Sequence, residues 1–370
     1  MKEKLKVVFS GGGTGGHIYP AVAIAKLIKK ENSSAQVLFI GTKEGLESKI
    51  IPKEGFDIEY IRSFGFNRKL SFEIFKTAKE VFIGYKMAIK ILKSFLPDVV
   101  VTTGGYVGVP VAFAAKKLNI PVIIHEQNAF CGLANKIIGR FATKILISFS
   151  QSRDYFRNKD KVILTGNPIR EEIFYINQNE AKKKLNITNK TLILAIGGSL
   201  GAENLSKAVI DLAEKLSHLT EVLIVLSTGE SKYIQILEYL RLKKDISNLK
   251  IMSYIHDMSL YLNAADIVIS RGGAIALSEI TALGKASIIV PSPYVTNNHQ
   301  EYNARFIEKN NAAFVVLENE LEKGILFEKI MKLLENKELL NEMSQNSKKL
   351  GRPNATRIIY NEIMKVIRPQ

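Results

Sequence analysis

A glycine-rich loop near the start of the chain limits the possible folds more than any other stretch. Five of the six residues from 11 to 16 are glycine, and the loop stands between the apolar run "KVVFS" and the helical pattern "YPAVAIAKLIKK". Glycine allows close approach between the backbone and a ligand, and the N–H groups at the start of a helix favour negative charge. The stretch therefore predicts a strand, a loop that binds an anionic group, and a helix.

Short apolar strands and helical stretches alternate in the same way along the rest of the chain, and the pattern restarts at "TLILAIGG", from residue 191. Such alternation is typical of parallel sheets covered by helices, and 370 residues are enough for two domains of this kind. We expect the fold class α/β, with two Rossmann-like doubly wound domains, residues 1–167 and 168–351, that join near "GNPIR". The amphipathic segment 352–370 is expected to be a helix that completes the first domain.

The net charge of +16 lies mostly in the first half of the chain, where residues 1–168 hold 26 Lys and Arg against 13 Asp and Glu. A basic excess predicts an anionic partner, which could be nucleic acid, an anionic membrane surface or a phosphorylated substrate. The chain lacks the patterns of nucleic-acid-binding modules, so we expect no nucleic-acid partner. It also lacks an apolar run long enough for a spanning helix or a signal peptide, which predicts a cytoplasmic location.

Gly11, Gly13 and Gly16 satisfy the GxGxxG pattern of dinucleotide-binding loops. The rest of that motif is missing, because Thr42 and Lys43 stand where an acidic residue would bind the ribose, and an oxidoreductase is therefore disfavoured. Similar glycine turns follow other apolar runs, and together with the first loop they predict two anion sites in each half. These turns lie at residues 103–108, 197–202 and 270–274.

Metal ligands are not indicated by the sequence. The chain has no Asp-x-Asp motif and no pair of histidines at ligand spacing, and its single cysteine, Cys131, has no CxxC partner. We therefore expect no metal, no cofactor and no internal disulfide.

A series of motifs in a fixed order resembles glycosyltransferase family 28, in particular its peptidoglycan N-acetylglucosaminyltransferases, over nearly the whole chain. The motifs are "GGGTGGHIYPAVAIA", "TGGYVGVP", "HEQNAFCGLANK", "GNPIR", "GGSLGA", "SYIHDM", "SRGGAIALSEITALGKASIIVPSP" and "NNHQEYNA". The resemblance implies the GT-B architecture, in which two Rossmann-like domains face each other across a cleft. It also implies transfer of N-acetylglucosamine from UDP-N-acetylglucosamine to the C4 hydroxyl of undecaprenyl-diphospho-N-acetylmuramyl-pentapeptide (lipid I), with inversion, to form lipid II. The enzyme would lie peripherally on the cytoplasmic face of the cell membrane, with cell-wall synthesis proteins as further partners.

The resemblance assigns the donor to the second domain. Glu279 would bind the ribose hydroxyls, Arg170 and Ser199 the phosphates, the main chain at Ile255 the uracil, and Gln300 the sugar hydroxyls. His299 departs from the family, because some members have glutamine there. The donor-contacting residues implied are Thr14, Gly15, Gly16, Asn128, Arg170, Ser199, Ile255, Gly273, Ala274, Glu279 and Gln300.

The first domain would bind the acceptor, and its polar residues include two candidates for the catalytic base. An inverting displacement needs a group that accepts the proton of the attacking hydroxyl, and an imidazole that titrates near neutral pH suits this role. His17 is the first candidate and Glu126 the second, and the choice stays open. The acceptor-contacting residues implied are Gly13, Thr14, Gly104, Gly105, Tyr106, His125 and Asn128.

Two related enzyme classes share the donor half of these motifs. A GT-B glycolipid synthase or a UDP-N-acetylglucosamine 2-epimerase lacks the combination of "GGTGGH", "TGGYVG" and "HEQN".

A last feature is the segment 64–95, whose lysines fall within about 100° of a helical projection with Phe75, Phe82 and Ile89 along the edge. This segment predicts contact with an anionic membrane surface. The lysines are Lys76, Lys79, Lys86, Lys90 and Lys93.

Overall fold

The computed structural model describes residues 4–63, 71–198, 201–243 and 246–368, and of residues 71–78 it describes the backbone alone. The chain forms two compact units, Met1–Ile169 with Asn354–Gln370 and Arg170–Pro353, which we call the N-terminal unit and the C-terminal unit. The boundaries lie two residues beyond the predicted ones.

Residues up to 169 contain alternating parallel strands and helices. These elements are β1 (Lys6–Gly11), α1 (Gly15–Glu31), β2 (Gln36–Gly41), α2 (Glu47–Lys53), β3 (Asp57–Tyr60), α3 (Ser71–Phe95), β4 (Val99–Gly104), α4 (Gly108–Lys117), β5 (Val122–Glu126), α5 (Leu133–Ile138), β6 (Lys144–Ile147) and β7 (Val162–Leu164). Short 3-10 helices span Ser150–Tyr155 and Lys159–Lys161.

Residues from 170 onward repeat this alternation. The elements are α6 (Gln178–Lys184), β8 (Thr191–Ile196), α7 (Glu203–Lys215), β9 (Val222–Ser227), α8 (Tyr233–Arg241), β10 (Leu249–Met252), α9 (Met258–Ala264), β11 (Ile267–Ser270), α10 (Ala274–Ala282), β12 (Ala286–Ile289), α11 (His299–Lys309), β13 (Ala313–Val315), α12 (Ile325–Glu335), α13 (Lys337–Leu350) and α14 (Ala355–Ile367). Short 3-10 helices span Glu171–Phe174, Glu230–Lys232, Thr296–Asn298 and Glu318–Lys323.

Each unit is built on one parallel sheet. The strand order is β3-β2-β1-β4-β5-β6-β7 in the N-terminal unit and β10-β9-β8-β11-β12-β13 in the C-terminal unit. The prediction of two Rossmann-like α/β domains is confirmed. In such sheets ligands bind beyond the carboxyl ends of the strands, at the point where the strand order reverses. These points lie between β1 and β4 and between β8 and β11.

The central strands are apolar because helices cover both of their faces. All six residues of β4 are buried, and so are the last five residues of β1.

The final helix, α14, packs within the N-terminal unit, where Ile359 and Ile363 are buried beside Phe9. An ion pair between Lys144 and Glu362 joins the same helix to β6. Among the described residues, no helix has the length and apolar character needed to cross a bilayer.

Most strands coincide with a long apolar run of the sequence, but β3, β7 and β13 do not. All three are edge strands of three or four residues. An edge strand contacts a neighbour on one side alone, so it needs no long apolar run. Short strands of this kind carry too weak a pattern for recognition from sequence.

Candidate active site

Two glycine loops meet at the carboxyl end of the N-terminal sheet. Gly11 at the end of β1 pairs with Gly104 at the end of β4. Gly104 and Gly105 have φ values of 103° and 82°, a region that side chains rarely adopt. A Cβ atom on Gly104 would lie 3.1 Å from the His17 ring, and one on Gly105 would lie 2.5 Å from the carbonyl oxygen of Gly12. The two glycines therefore let the second loop close against the first loop and its histidine.

His17 lies in the first turn of α1, and its Nδ1 atom faces two acceptors. This nitrogen is 2.9 Å from the carbonyl oxygen of Thr103 and 3.0 Å from Oε1 of Gln127. A carbonyl oxygen and an amide oxygen accept hydrogen bonds and cannot donate them, so Nδ1 carries the proton. In the neutral ring the lone pair then lies on Nε2. His17 can act as a proton acceptor at that atom.

The space beneath the first loop is filled by a carboxylate that the sequence analysis does not consider. Glu47, at the start of α2, is 1% exposed. It accepts hydrogen bonds from the Gly13 N–H at 3.2 Å, and from the N–H and hydroxyl of Thr42 at 3.0 and 2.8 Å. Cβ atoms on Gly12 and Gly45 would lie 2.6 and 2.2 Å from the Glu47 carboxylate. Part of the glycine content thus makes room for a side chain of the protein, and the Gly13 N–H is not directed at a ligand.

The other residues of the first loop remain accessible. Thr14 is the N-cap of α1, and its side chain makes no capping hydrogen bond with the helix. Thr14 and Gly16 are exposed, and Gly15 is partly exposed. The Tyr106 ring would lie 3.3 Å from a Cβ atom on Gly13, so it forms the opposite wall of the loop. The first turn of α1 can therefore present N–H groups to an anion, as the sequence predicts.

Glu126 is buried at the end of β5 and organises the loop that follows. Its Oε1 accepts the Asn128 N–H at 3.0 Å, and its Oε2 accepts the Gly132 N–H at 3.0 Å and the Asn135 side-chain amide at 2.9 Å. A carboxylate with this many internal donors has little capacity left to accept a substrate proton. The geometry therefore favours His17 over Glu126 as the base.

His125 is fully buried, and both of its ring nitrogens contact the protein. Its Nε2 lies 3.0 Å from the carbonyl oxygen of Gly166, and its Nδ1 lies 3.0 Å from Nε2 of Gln127. Burial lowers the pKa of His125 to about 4, so the ring is neutral at neutral pH. The structure does not support the predicted contact between His125 and the acceptor, because the ring has no surface that a ligand could reach.

In the C-terminal unit, two of the predicted donor residues pair with each other. Arg170 Nε donates to Glu279 Oε1 at 2.6 Å, and Glu279 is 6% exposed while the Arg170 side chain is 46% exposed. Burial raises the pKa of the Glu279 carboxyl, and the neighbouring Arg170 opposes that effect. The bond uses one of the five N–H donors of Arg170 and one carboxylate oxygen of Glu279.

The carboxyl ends of β8 and β11 meet in the same way as those of β1 and β4, with Ile196 opposite Ser270. Gln300 lies against the loop after β11, because its Oε1 accepts the N–H groups of Gly272 at 3.2 Å and Ser292 at 2.9 Å. The side-chain amide N–H groups of Gln300 are therefore the part that can bind a sugar hydroxyl.

Further predicted donor residues surround this loop. Gly273 is the N-cap of α10, and Ala274 is its first residue. Ile255 is 1% exposed, which leaves its main chain as the part that could contact a base. His299 Nδ1 lies 2.9 Å from the carbonyl oxygen of Thr296. Ser199 lies outside the described residues.

Arg271 stands in the loop after β11 and is paired within the protein. Its guanidinium binds both carboxylate oxygens of Glu318 and the carbonyl oxygen of Val290. The pair ties the loop to the 3-10 helix at Glu318–Lys323. Arg271 therefore holds the loop in place, and its charge is balanced by Glu318.

The outer surface of α3 carries exposed lysines, which we call the lysine face: Lys79, Lys86, Lys90 and Lys93. Phe82 on the same helix is 55% exposed, and α3 packs along α4, where Phe113 is 40% exposed. Ile89, predicted at the edge of the face, packs instead against the core of the N-terminal unit. The side chains of Phe75 and Lys76 lie outside the described part of the chain.

Sequence reasoning missed Glu47, Gln127 and Asn135 as parts of this site. Gln127 stands inside "HEQN", between residues that were considered, so its position in the motif was the available signal. Glu47 follows Gly41 and Gly45 closely, but nothing in that spacing indicates that its side chain reaches the loop at Gly12.

Comparison with known proteins finds two matching family models. The glycosyltransferase family 28 N-terminal domain matches residues 7–147, and the family 28 C-terminal domain matches residues 192–358. A relative from Caldicellulosiruptor saccharolyticus, named UDP-N-acetylglucosamine--N-acetylmuramyl-(pentapeptide) pyrophosphoryl-undecaprenol N-acetylglucosamine transferase, is 54% identical over 356 residues, 96% of each chain.

Solved structures with the same fold include a MurG protein and a more distant enzyme. MurG of Acinetobacter baumannii matches with a TM-score of 0.80 and 28% identity, covering 98% of this chain and 99% of its own. A UDP-GlcNAc 2-epimerase from Neisseria meningitidis matches with a TM-score of 0.66 and 17% identity, covering 98% of this chain and all of its own, which is a likeness in fold alone.

Proposed function

The chain belongs to glycosyltransferase family 28, and from this membership we infer that it transfers N-acetylglucosamine from UDP-N-acetylglucosamine to lipid I, which yields lipid II. The observation that carries the inference is the agreement with a named transferase over nearly the whole of both chains. The His17 site agrees with this activity, because it offers a proton acceptor beside a helix N-terminus that favours an anionic substrate.

In the proposed reaction the C4 hydroxyl oxygen of the acceptor sugar attacks the anomeric carbon of the donor. The bond between that carbon and the UDP oxygen breaks, and the hydroxyl proton passes to Nε2 of His17. UDP departs with the electron pair of the broken bond. His17 is the base in this scheme because its Nδ1 proton is held by Thr103 and Gln127, so that Nε2 has the lone pair.

The N-terminal unit binds the acceptor in this proposal. We assign Thr14, Gly15 and Gly16 at the start of α1 to the diphosphate of lipid I, in place of the donor contacts that the resemblance implies for these three residues. Tyr106 and the turn at Gly104–Gly105 form the adjoining wall. Glu126 holds the loop that contains Asn128, the His125 ring contacts Gln127, and neither residue contacts substrate in this proposal.

The C-terminal unit binds the donor. Glu279 accepts hydrogen bonds from the ribose hydroxyls, and Arg170 stabilises the charge that develops on the departing UDP. Gln300 donates its amide N–H groups to the sugar. These roles require Arg170 and Glu279 to exchange part of their mutual contact for contacts with the donor.

We also propose that the enzyme works as a peripheral protein on the cytoplasmic face of the membrane. The lysine face supports this, because each lysine near an anionic leaflet contributes roughly 1 kcal/mol of attraction. The exposed Phe82 adds apolar contact beside those charges.

The decisive experiment measures label transfer from UDP-N-acetylglucosamine to a soluble lipid I analogue. We expect the labelled sugar in the disaccharide product and one UDP released per transfer, with no UDP released when the acceptor is omitted. A 2-epimerase would convert the labelled sugar nucleotide without any acceptor. A glycolipid synthase would label diacylglycerol and leave the lipid I analogue unchanged. Either result would contradict the proposal.

A further inference from the structure

A chain of hydrogen bonds runs from Gly166, which follows β7, to His17 in α1. The carbonyl oxygen of Gly166 lies 3.0 Å from Nε2 of His125, and Nδ1 of His125 lies 3.0 Å from Nε2 of Gln127. Oε1 of Gln127 lies 3.0 Å from Nδ1 of His17. Residues from three separate parts of the chain thus form one continuous series.

The direction of every bond in this chain follows from its first member. The Gly166 carbonyl can only accept, so His125 Nε2 donates, and a neutral His125 then has its lone pair on Nδ1. That lone pair needs a donor, which fixes the amide of Gln127 with its nitrogen toward His125 and its oxygen toward His17. Gln127 Nε2 also donates to the carbonyl oxygen of His125 at 2.9 Å, which sets the same orientation independently.

Gln127 is itself held in place on all sides. It is 1% exposed, and its carbonyl oxygen accepts the side-chain amide of Asn167 at 3.1 Å. Its side chain uses both N–H groups on His125 and its oxygen on His17. A buried side chain with every polar atom bonded is rigid, and its amide oxygen therefore marks a fixed position for the Nδ1 proton of His17.

We propose that Gln127 is a positioning residue that holds the His17 imidazole with its proton on Nδ1 and its lone pair on Nε2. Thr103 supplies a second acceptor from the main chain, and two acceptors on one N–H prevent the ring from rotating away from either. This inference rests on the proposed function for the role of Nε2 in catalysis. The tautomer itself is a property of the protein without substrate.

A neutral amide at this position has a consequence for the pH profile. A carboxylate in its place would face the same Nδ1 proton with a negative charge, and an opposite charge favours the protonated imidazole. As the pH falls, Nε2 of His17 would then become protonated, and unable to accept a proton, at a higher pH than in wild type. The elements around His17 carry several other titratable groups. These groups are the same in wild type and in every Gln127 variant, so their influence on the pH profile does not differ between them. They are Glu47 on α2, Tyr106 after β4, His125 and Glu126 on β5, and Lys136 on α5.

The test combines nitrogen NMR with the pH profile of the transfer reaction. The full chain is labelled with ¹⁵N-histidine, and each of its five histidine signals is assigned by a single substitution. We expect the wild-type His17 signals to show a proton on Nδ1. Gln127→Met removes the polar atoms at nearly constant length, and we expect it to give a mixture of tautomers and roughly a tenfold lower kcat with unchanged donor KM.

Gln127→Glu keeps the shape and adds the charge. We expect the acidic limb of its kcat profile to move up by roughly one pH unit, together with the NMR titration of His17. Gln178→Met is the matched control, because Gln178 makes two similar hydrogen bonds in the C-terminal unit, to Ala265 and Asp266. It should leave both the tautomer and the acidic limb unchanged. Thermal unfolding of each variant shows that it is folded.

Three results would overturn the positioning role. They are a proton on Nε2 in wild-type His17, an unchanged tautomer and kcat in Gln127→Met, and an acidic limb that stays in place in Gln127→Glu. Failure of the proposed function is a separate result. In that case the tautomer data support the positioning role while the wild-type chain transfers no sugar to the lipid I analogue.

Discussion

The sites of the two units are built differently, although both lie where the strand order of a parallel sheet reverses. Around His17 the buried polar side chains bond to one another and to the main chain, and of this network Oδ1 of Asn135 is the buried side-chain atom that has no hydrogen-bond partner. In the C-terminal unit, Arg170 and Glu279 form an ion pair in which the arginine is half exposed. A network of buried hydrogen bonds fixes one geometry, whereas the half-exposed Arg170 of an ion pair can exchange partners.

This difference fits the tasks proposed for the two units. A general base must have its lone pair in a set direction before the substrate arrives, and an internal network provides that. Donor residues must instead bind and then release a charged nucleotide. Because Arg170 and Glu279 satisfy each other, neither charge is left uncompensated when UDP has departed.

The largest effect is expected from His17→Ala. Loss of the base should lower kcat by roughly 10² to 10⁴. The donor KM should stay close to its wild-type value, because the residues that bind the donor in our proposal belong to the C-terminal unit. Steady-state kinetics with the lipid I analogue separate the two parameters. A raised acceptor KM with a small loss of kcat would instead identify His17 as a ligand of the acceptor diphosphate.

The network around His17 should also fail in acid, because His125 is buried as a neutral ring. Its pKa is lowered from 6.5 to about 4, so the unfolded chain binds a proton over this range while the folded chain does not. Stability contributed by the neutral ring is therefore present above pH 6.5 and is lost as the pH falls toward 4. The loss should approach about 3 kcal/mol.

Denaturant unfolding at neutral pH and near pH 4 measures this loss. In His125→Gln the decrease in the free energy of unfolding between neutral pH and pH 4 should be smaller by about 3 kcal/mol. We expect this even though the variant is less stable than wild type at neutral pH. His218→Gln is the control, because His218 is exposed on the C-terminal unit. An equal acid loss in wild type and His125→Gln would refute the neutral buried state of His125.

A smaller effect is expected for the ion pair of the C-terminal unit. Glu279→Gln removes the charge that balances Arg170 and that binds the ribose in our proposal, and hydrogen bonds to charged groups are worth about 1.5–3 kcal/mol. The donor KM should rise by roughly 10- to 100-fold, and the acceptor KM should change little. Glu301→Gln is a suitable control, because Glu301 pairs with Arg305 on α11 in the same unit. If Glu279→Gln binds donor normally, the exchange of partners proposed for this pair is wrong.

The smallest effect is expected from single lysines of the lysine face. Lys86→Ser should weaken binding to vesicles that contain anionic lipid by about fivefold, which corresponds to roughly 1 kcal/mol. The binding should fade with added salt, as screened charges require. Lys183→Ser, an exposed lysine of the C-terminal unit, is the control and should bind as wild type does. Equal binding of wild type to neutral vesicles would contradict a contact driven by the lysine face.

Most of the fold could be predicted from the sequence, because parallel strands that are buried on both faces are mostly apolar. Runs such as "VVVTT" and "TLILAI" can be recognised from composition alone. The edge strands β3, β7 and β13 lack that signal. The glycine turns at Gly104–Gly105 and Gly272–Gly273 were also recognisable, because glycine marks places where loops approach closely.

The partners of the site residues were less accessible from sequence. Glu47 reaches Gly12 and Gly13 across the loop after β2, and only the folded chain brings them together. "HEQN" contains four polar residues, of which His125, Glu126 and Gln127 are buried, and nothing in the motif indicates which of them contacts another part of the site. That is why the sequence suggested substrate contact for His125, which the fold buries, and passed over Gln127, which contacts His17.

The central claim is that Nε2 of His17 accepts the proton of the attacking hydroxyl. The most direct test is kcat as a function of pH for wild type and His17→Ala, with both substrates saturating. The account predicts an acidic limb in the wild-type profile and its absence in the much slower variant. A His17→Ala enzyme that keeps near-normal kcat and the same acidic limb would contradict the claim and return Glu126 to consideration as the base.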